Sequence, residues 1–145
     1  MGLMARRVHD YLSSVEWKRG DPAPVVALDL FFEGNDEEES IAPNQWGDGR
    51  PPIAALHERF RAIAARPEVS AVFVGLHHDW NDPDFADSFP PAETVFVATS
   101  ASQSQVEGWL TGLESDGAVA GWPYGKPNNA TDLAKGHSIF WVSWD

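Results

Sequence analysis

The chain has 145 residues, 43% of them hydrophobic and 22% charged, with no cysteine and a formal charge of −12. That length suits one domain around one core, read here as residues 1–145. The lack of cysteine excludes disulfides, thiolate metal sites and cysteine nucleophiles, and no run reaches the roughly 18 apolar residues of a membrane span.

The charge is lopsided. Residues 1–66 hold 8 basic and 11 acidic side chains, whereas residues 67–145 hold only Lys126 and Lys135 against 11 acids. Phosphate backbones require a basic face, so no nucleic-acid partner is expected. The field favours cations, amines or a basic protein. Arg6 and Arg7 are followed by no apolar signal core, so a cytoplasmic chain is expected.

Along the chain, Met4, Val8, Tyr11, Leu12 and Val15 recur at helical spacing, and Gly20 and Pro22 close that helix. "PVVALDLFFE", Pro24 to Glu33, is β-branched and aromatic and reads as a strand. Val26, Leu28, Leu30 and Phe32 share one of its faces; Asp29, Phe31 and Glu33 share the other. The turn-rich "GNDEEESIAPNQWGDGRPP" is a long loop. A second helix runs from about Pro52 to Arg66 on Ile53, Leu56, Phe60 and Ile63. A strand follows from Val69 to His77, then a loop, then a strand from Glu93 to Ser100. Ser102 and Gln105 fit a capping box for a third helix, about Gln103 to Ser115. "GAVAGW" leaves room for a short extra strand, and "HSIFWVSW", His137 to Trp144, is the last strand.

The order is a helix followed by βαββαβ, which is that of the ferredoxin-like, split-βαβ sandwich: an antiparallel sheet with two helices on one face. Such a fold carries no function with it. In that arrangement the helices cover the aliphatic positions, while Asp29, Phe31, Glu33, Phe73, His77 and Phe96 line the opposite face. So large an apolar patch must be covered, by the first helix, by a second copy or by a ligand.

"VGLHHDWNDPDFADSF" places His77, His78 and four aspartates beyond an apolar run. On a continuing strand the adjacent imidazoles point to opposite faces and do not share an ion; His77 with Asp79 is the better pair. The calcium-loop pattern fails, because Pro83, Asp84 and Pro90 occupy its fifth, sixth and twelfth positions. Asp and Asn before proline suit turns, with Trp80 and Phe85 as anchors. No metal set, cofactor motif, nucleophile elbow or phosphate loop is assigned.

The sequence therefore points to a non-enzymatic acidic domain that engages a basic protein or small cationic ligand through acidic loops and an aromatic sheet face. Its expected binding residues are Asp29, Phe31, Glu33, Phe73, His77, Asp79, Trp80 and Phe96. Two alternatives stand beside it: a small enzyme with Asp29 or Glu33 as acid or base assisted by His77, and a homodimer or larger oligomer closed by the sheet face.

Overall fold

A computed structural model describes residues 2–144 of the chain. Its elements are α1 (Leu3–Ser13), β1 (Val25–Ala27), α2 (Leu28–Phe32), α3 (Ile53–Ala64), β2 (Val69–Leu76), β3 (Ala92–Thr99), α4 (Gln103–Trp109), β4 (Ala118–Ala120) and β5 (Ser138–Ser143). Single 3-10 turns lie at Glu38–Ser40, Pro43–Gln45 and Pro83–Phe85. The protein is α+β, with one five-stranded sheet in the order β1-β2-β3-β5-β4 and every neighbouring pair antiparallel.

That strand order differs from the expected split-βαβ sandwich. β3 and β4 both run antiparallel to β5, which lies between them, so β3-α4-β4 is a split βαβ unit. The first half is not. β2 lies directly against β1, with Val25 opposite Gly75 and Val26 opposite Val74. The connection from β1 to β2 therefore leaves and re-enters at the same end of the sheet, as an antiparallel pair of neighbours demands.

The cause lies in "ALDLFF". The expected strand from Pro24 to Glu33 ends at Ala27, and Leu28 begins α2. Leu28, Phe31 and Phe32 are all buried; their i, i+3, i+4 spacing is that of a helix turning one face to a core. Asp29 sits in the first turn of α2, where a negative charge suits the helix dipole. Gly34, at φ +70°, ends this turn against α1, and a Cβ there would meet Met4 Cγ at 2.7 Å.

The sheet separates two cores. Val26, Val74, Val95, Val97, Phe140 and Val142 face the helices and pack with Val8, Phe31, Leu56, Phe60 and Val106. α1 belongs to this helix side through Ala5, Val8 and Leu12, and does not fold over the aromatic face. On the other face Val25, Phe73, Phe96, Ala98 and Ile139 form a smaller core with Ala130, flanked by Trp122 and Trp141. Its cover is the chain's own 121–136 segment. Trp122 lies 4.9 Å from the Phe96 ring and 6.1 Å from Phe73. Asn129 accepts from the Val25 amide at 3.0 Å and donates to the Val25 carbonyl at 2.7 Å, so an amide side chain occupies part of the outer edge of β1.

The capping box of α4 forms as expected, with Ser102 and Gln105 each bonding the other's backbone. The helix is shorter than expected: it ends at Trp109, and Gly112 at φ +88° turns the chain while Leu110 and Leu113 remain buried. No described helix is long and apolar enough to cross a membrane.

Candidate functional site

The loop after α2 carries Asp36, Glu37, Glu38 and Glu39. Buried Asn35 starts it, donating to the Phe31 carbonyl and to Ser40 Oγ and accepting from the Glu37 amide. Further along, the Ala42 amide donates to the Ala92 carbonyl, which docks the loop beside the start of β3. These ties open a cleft of about 440 Å³ between the acidic run, Trp46, Phe85, Ser88 and Phe89.

The four carboxylates of this cleft do not share one task. Glu37 accepts from the Phe89 amide at 3.0 Å and joins the two walls. Glu38 takes the Ile53 amide at 3.0 Å and pairs at 3.2 Å with Arg50, whose side chain is fully buried. Arg50 also donates to the carbonyls of Glu38 and Pro51 and lies 4.6 Å over the Trp46 ring. Burial pulls the Arg50 guanidinium below its ordinary value, and Glu38 opposes that pull. Asp36 and Glu39 are exposed. Trp46 is 39% exposed. The lining contains no cationic side chain.

A second group gathers where β2 ends. β2 stops at Leu76, so the strand alternation expected to separate His77 from His78 does not apply. The chain turns instead, with the Trp80 amide donating to the His77 carbonyl. The two imidazoles lie 3.9 Å apart, centroid to centroid. Asp79 has one carboxylate oxygen 3.8 Å from His77 Nδ1 and the other 3.5 Å from His78 Nε2. Glu93 of β3 lies 4.0 Å from His77 Nε2. Among the described residues, His77, His78 and Asp79 are the one group of three whose donor atoms are close enough to hold a metal ion. His78 and Glu93 also line a cleft of about 570 Å³ with Trp17, Arg19, Asp21 and Tyr124.

The expected binding face is thus divided among five places. Asp29 is exposed at the start of α2, 2.8 Å from His57 and 3.6 Å from Arg61. Phe31 is fully buried in the helix-side core, edge-on to Phe32 and Phe89. Glu33 is exposed at the end of α2. Phe73 and Phe96 do meet across β2 and β3, 5.6 Å apart, but beneath Trp122. His77, Asp79 and Trp80 stay together after β2, with Trp80 packed edge-on against Trp17 at 5.2 Å. Asp29 is thus bonded to His57, whereas His77 lies beside Asp79 and Glu93. The aromatic face is covered by Trp122 and Ala130 of the same chain.

Sequence reasoning missed the pairing of Trp46 and Phe85 with the acidic run, and the addition of His78 and Glu93 to His77. "NDEEES" and the loop aromatics were visible signals; their meeting is a tertiary contact. The loop itself behaves as a turn, with Asp82 accepting from the Asp84 amide at 2.9 Å ahead of Pro83–Phe85.

Comparison with known proteins adds kinship. The chain is 28% identical over 125 residues to the uncharacterized protein YfbO of Escherichia coli strain K12, covering 86% of this chain and 84% of that one. No solved structure matches. The model of the uncharacterized protein YfbO family matches residues 6–142, from α1 through β5. On that match, which takes in both cores and both clefts, the chain belongs to the YfbO family.

Proposed function

We propose that the chain is a non-enzymatic binding domain that captures a cationic side chain of a basic protein in the cleft beside the 36–40 loop. The observation that carries this reading is the composition of the cleft: four carboxylates, Trp46 and Phe85 line it, while Arg50, which already holds Glu38 and one part of the Trp46 ring, is buried outside the lining. Glu37 and Glu38 are engaged in holding the walls, which leaves Asp36 and Glu39 for a partner. A guanidinium or ammonium resting on an exposed indole gains about 0.5–2 kcal/mol beyond its ion pairs. The net charge of −12 adds attraction at long range, which speeds encounter more than it deepens affinity.

The test is calorimetric titration with an arginine-rich peptide at two salt concentrations. Replacing both Asp36→Asn and Glu39→Gln is expected to weaken binding by about tenfold, and Trp46→Ala by a comparable factor. Higher salt should weaken the wild type more than the double variant. Equal affinity of wild type and double variant ends this reading. Competition by spermidine alone, at similar affinity, would shift the ligand from a basic protein to a small polyamine.

A further inference from the structure

We infer that His77, His78 and Asp79 form a binding site for one divalent transition-metal ion of the zinc class, with Glu93 orienting His77. The site shares no donor side chain with the lining of the 36–40 cleft and does not depend on the reading of that cleft.

Proximity is set by the backbone. The His77 amide donates to the Pro91 carbonyl at 2.8 Å, and the turn from His77 to Trp80 folds the next two side chains back toward it. Asp79 then faces the edges of both imidazoles, one carboxylate oxygen toward each, at 3.8 and 3.5 Å. All three donor atoms lie within 4.8 Å of one another. Tetrahedral ligands at zinc bond lengths are about 3.3 Å apart, so modest side-chain rotations close the set.

The tautomer suits an ion as well. His77 Nδ1 accepts from the Asp79 amide at 3.0 Å, so its unprotonated nitrogen lies on the Asp79 side of the ring. In the neutral ring Nε2 then carries the proton and faces Glu93, 4.0 Å away. A ligating imidazole whose second nitrogen faces a carboxylate is the usual arrangement around bound metals, and it fixes ring orientation and raises basicity. Metal binding would exchange the amide contact at Nδ1 for the ion.

Donor chemistry selects the metal. Two imidazoles and one carboxylate suit zinc, nickel or copper, whereas calcium and magnesium require more oxygens. Three protein donors leave at least one coordination position for water or a ligand. His78 and Glu93 border the cleft of Trp17 and Tyr124, which gives that position room. His78 is 79% exposed on its side chain, so the ion exchanges with solvent rather than being locked in the fold. The other histidines are held elsewhere: His9 against the Ser88 carbonyl, His57 against Asp29, and His137 against Ser70.

The experiment uses the untagged full chain, stripped with a chelator and titrated with zinc alone by calorimetry. One ion per chain is expected, with affinity reduced by more than about tenfold in His77→Ala and in His78→Ala. Asp79→Asn should also weaken binding, and His137→Ala should not. Cobalt should give visible d–d absorption that His78→Ala abolishes. Circular dichroism verifies that each variant is folded, and a misfolded alanine variant is replaced by glutamine at the same position. Absence of saturable zinc binding overturns the site. So does binding that survives both histidine substitutions, or calcium competing as well as zinc.

Discussion

The two faces of the sheet solve the same problem differently. Toward the helices, apolar side chains at regular spacing bury one another: Val74, Val95, Leu56 and Phe60 are essentially inaccessible to solvent. On the other face, Phe73 and Phe96 are covered by a segment that is neither helix nor sheet over residues 121–136. That segment needs polar fasteners, because irregular backbone brings its own unpaired groups. Asn129 is one such fastener, its side chain tying the segment to the Val25 amide and carbonyl of β1 and to the Tyr11 hydroxyl of α1. Periodic burial holds one core; one aromatic lid and one amide hold the other.

Unequal consequences should follow from damage to each side. Phe31→Ala, in the helix-side core, is expected to cost about 4 kcal/mol of unfolding free energy by urea titration. Trp122→Ala should cost less, about 2 kcal/mol, and should expose the Phe73–Phe96 pair to a hydrophobic dye before global unfolding. If these two losses were equal, the hierarchy of cores would be wrong. Asn129→Ala leaves the Val25 amide and carbonyl without that partner, at about 1–2 kcal/mol. Its signature is faster hydrogen exchange along β1 with the helix-side core still protected.

The smallest effect belongs to Lys126→Ala in the same segment. The Lys126 ammonium bonds Asp132 and holds its carboxyl below the ordinary aspartate range. A depressed carboxylate contributes stability above its unfolded-state value and loses it as pH falls through its folded-state value. The difference between variant and wild type should therefore be slight at neutral pH and vanish in acid. Both groups are on the surface, so added salt should erase it too. A large, salt-resistant loss would mean that the ion pair, rather than Trp122 and Asn129, fastens the lid.

Legibility followed the length of each pattern. β2 and β3 were readable as strands, and the positions from Val72 to Val74 and from Val95 to Ala98 fall as alternation requires, while register shifts at Val69/Ala71 and Gly75/Leu76 break it toward the strand ends. α3 was readable from Ile53, Leu56, Phe60 and Ile63, all buried. "VVALDLFF" was misread because it satisfies two periods at once: Val26, Leu28, Leu30 and Phe32 alternate, while Leu28, Phe31 and Phe32 follow a helix. Short apolar runs cannot choose between these locally. The misreading moved Asp29, Phe31 and Glu33 onto a face they do not occupy. His77 and His78 failed for a related reason: a strand end one residue earlier turned opposed side chains into neighbours.

The sequence alone determined the acidic field, the α+β class, three of the helices and the alternating faces of the long strands, since charge and periodicity are local properties. Tertiary structure alone decided the strand order, the lid over the aromatic face, and the meetings of Trp46 with the acidic run and of Glu93 with His77. Those depend on residues far apart in the chain. Which partner a buried ring or an exposed carboxylate finds is settled by packing of the whole chain, where competing local preferences are resolved by the surface they bury together.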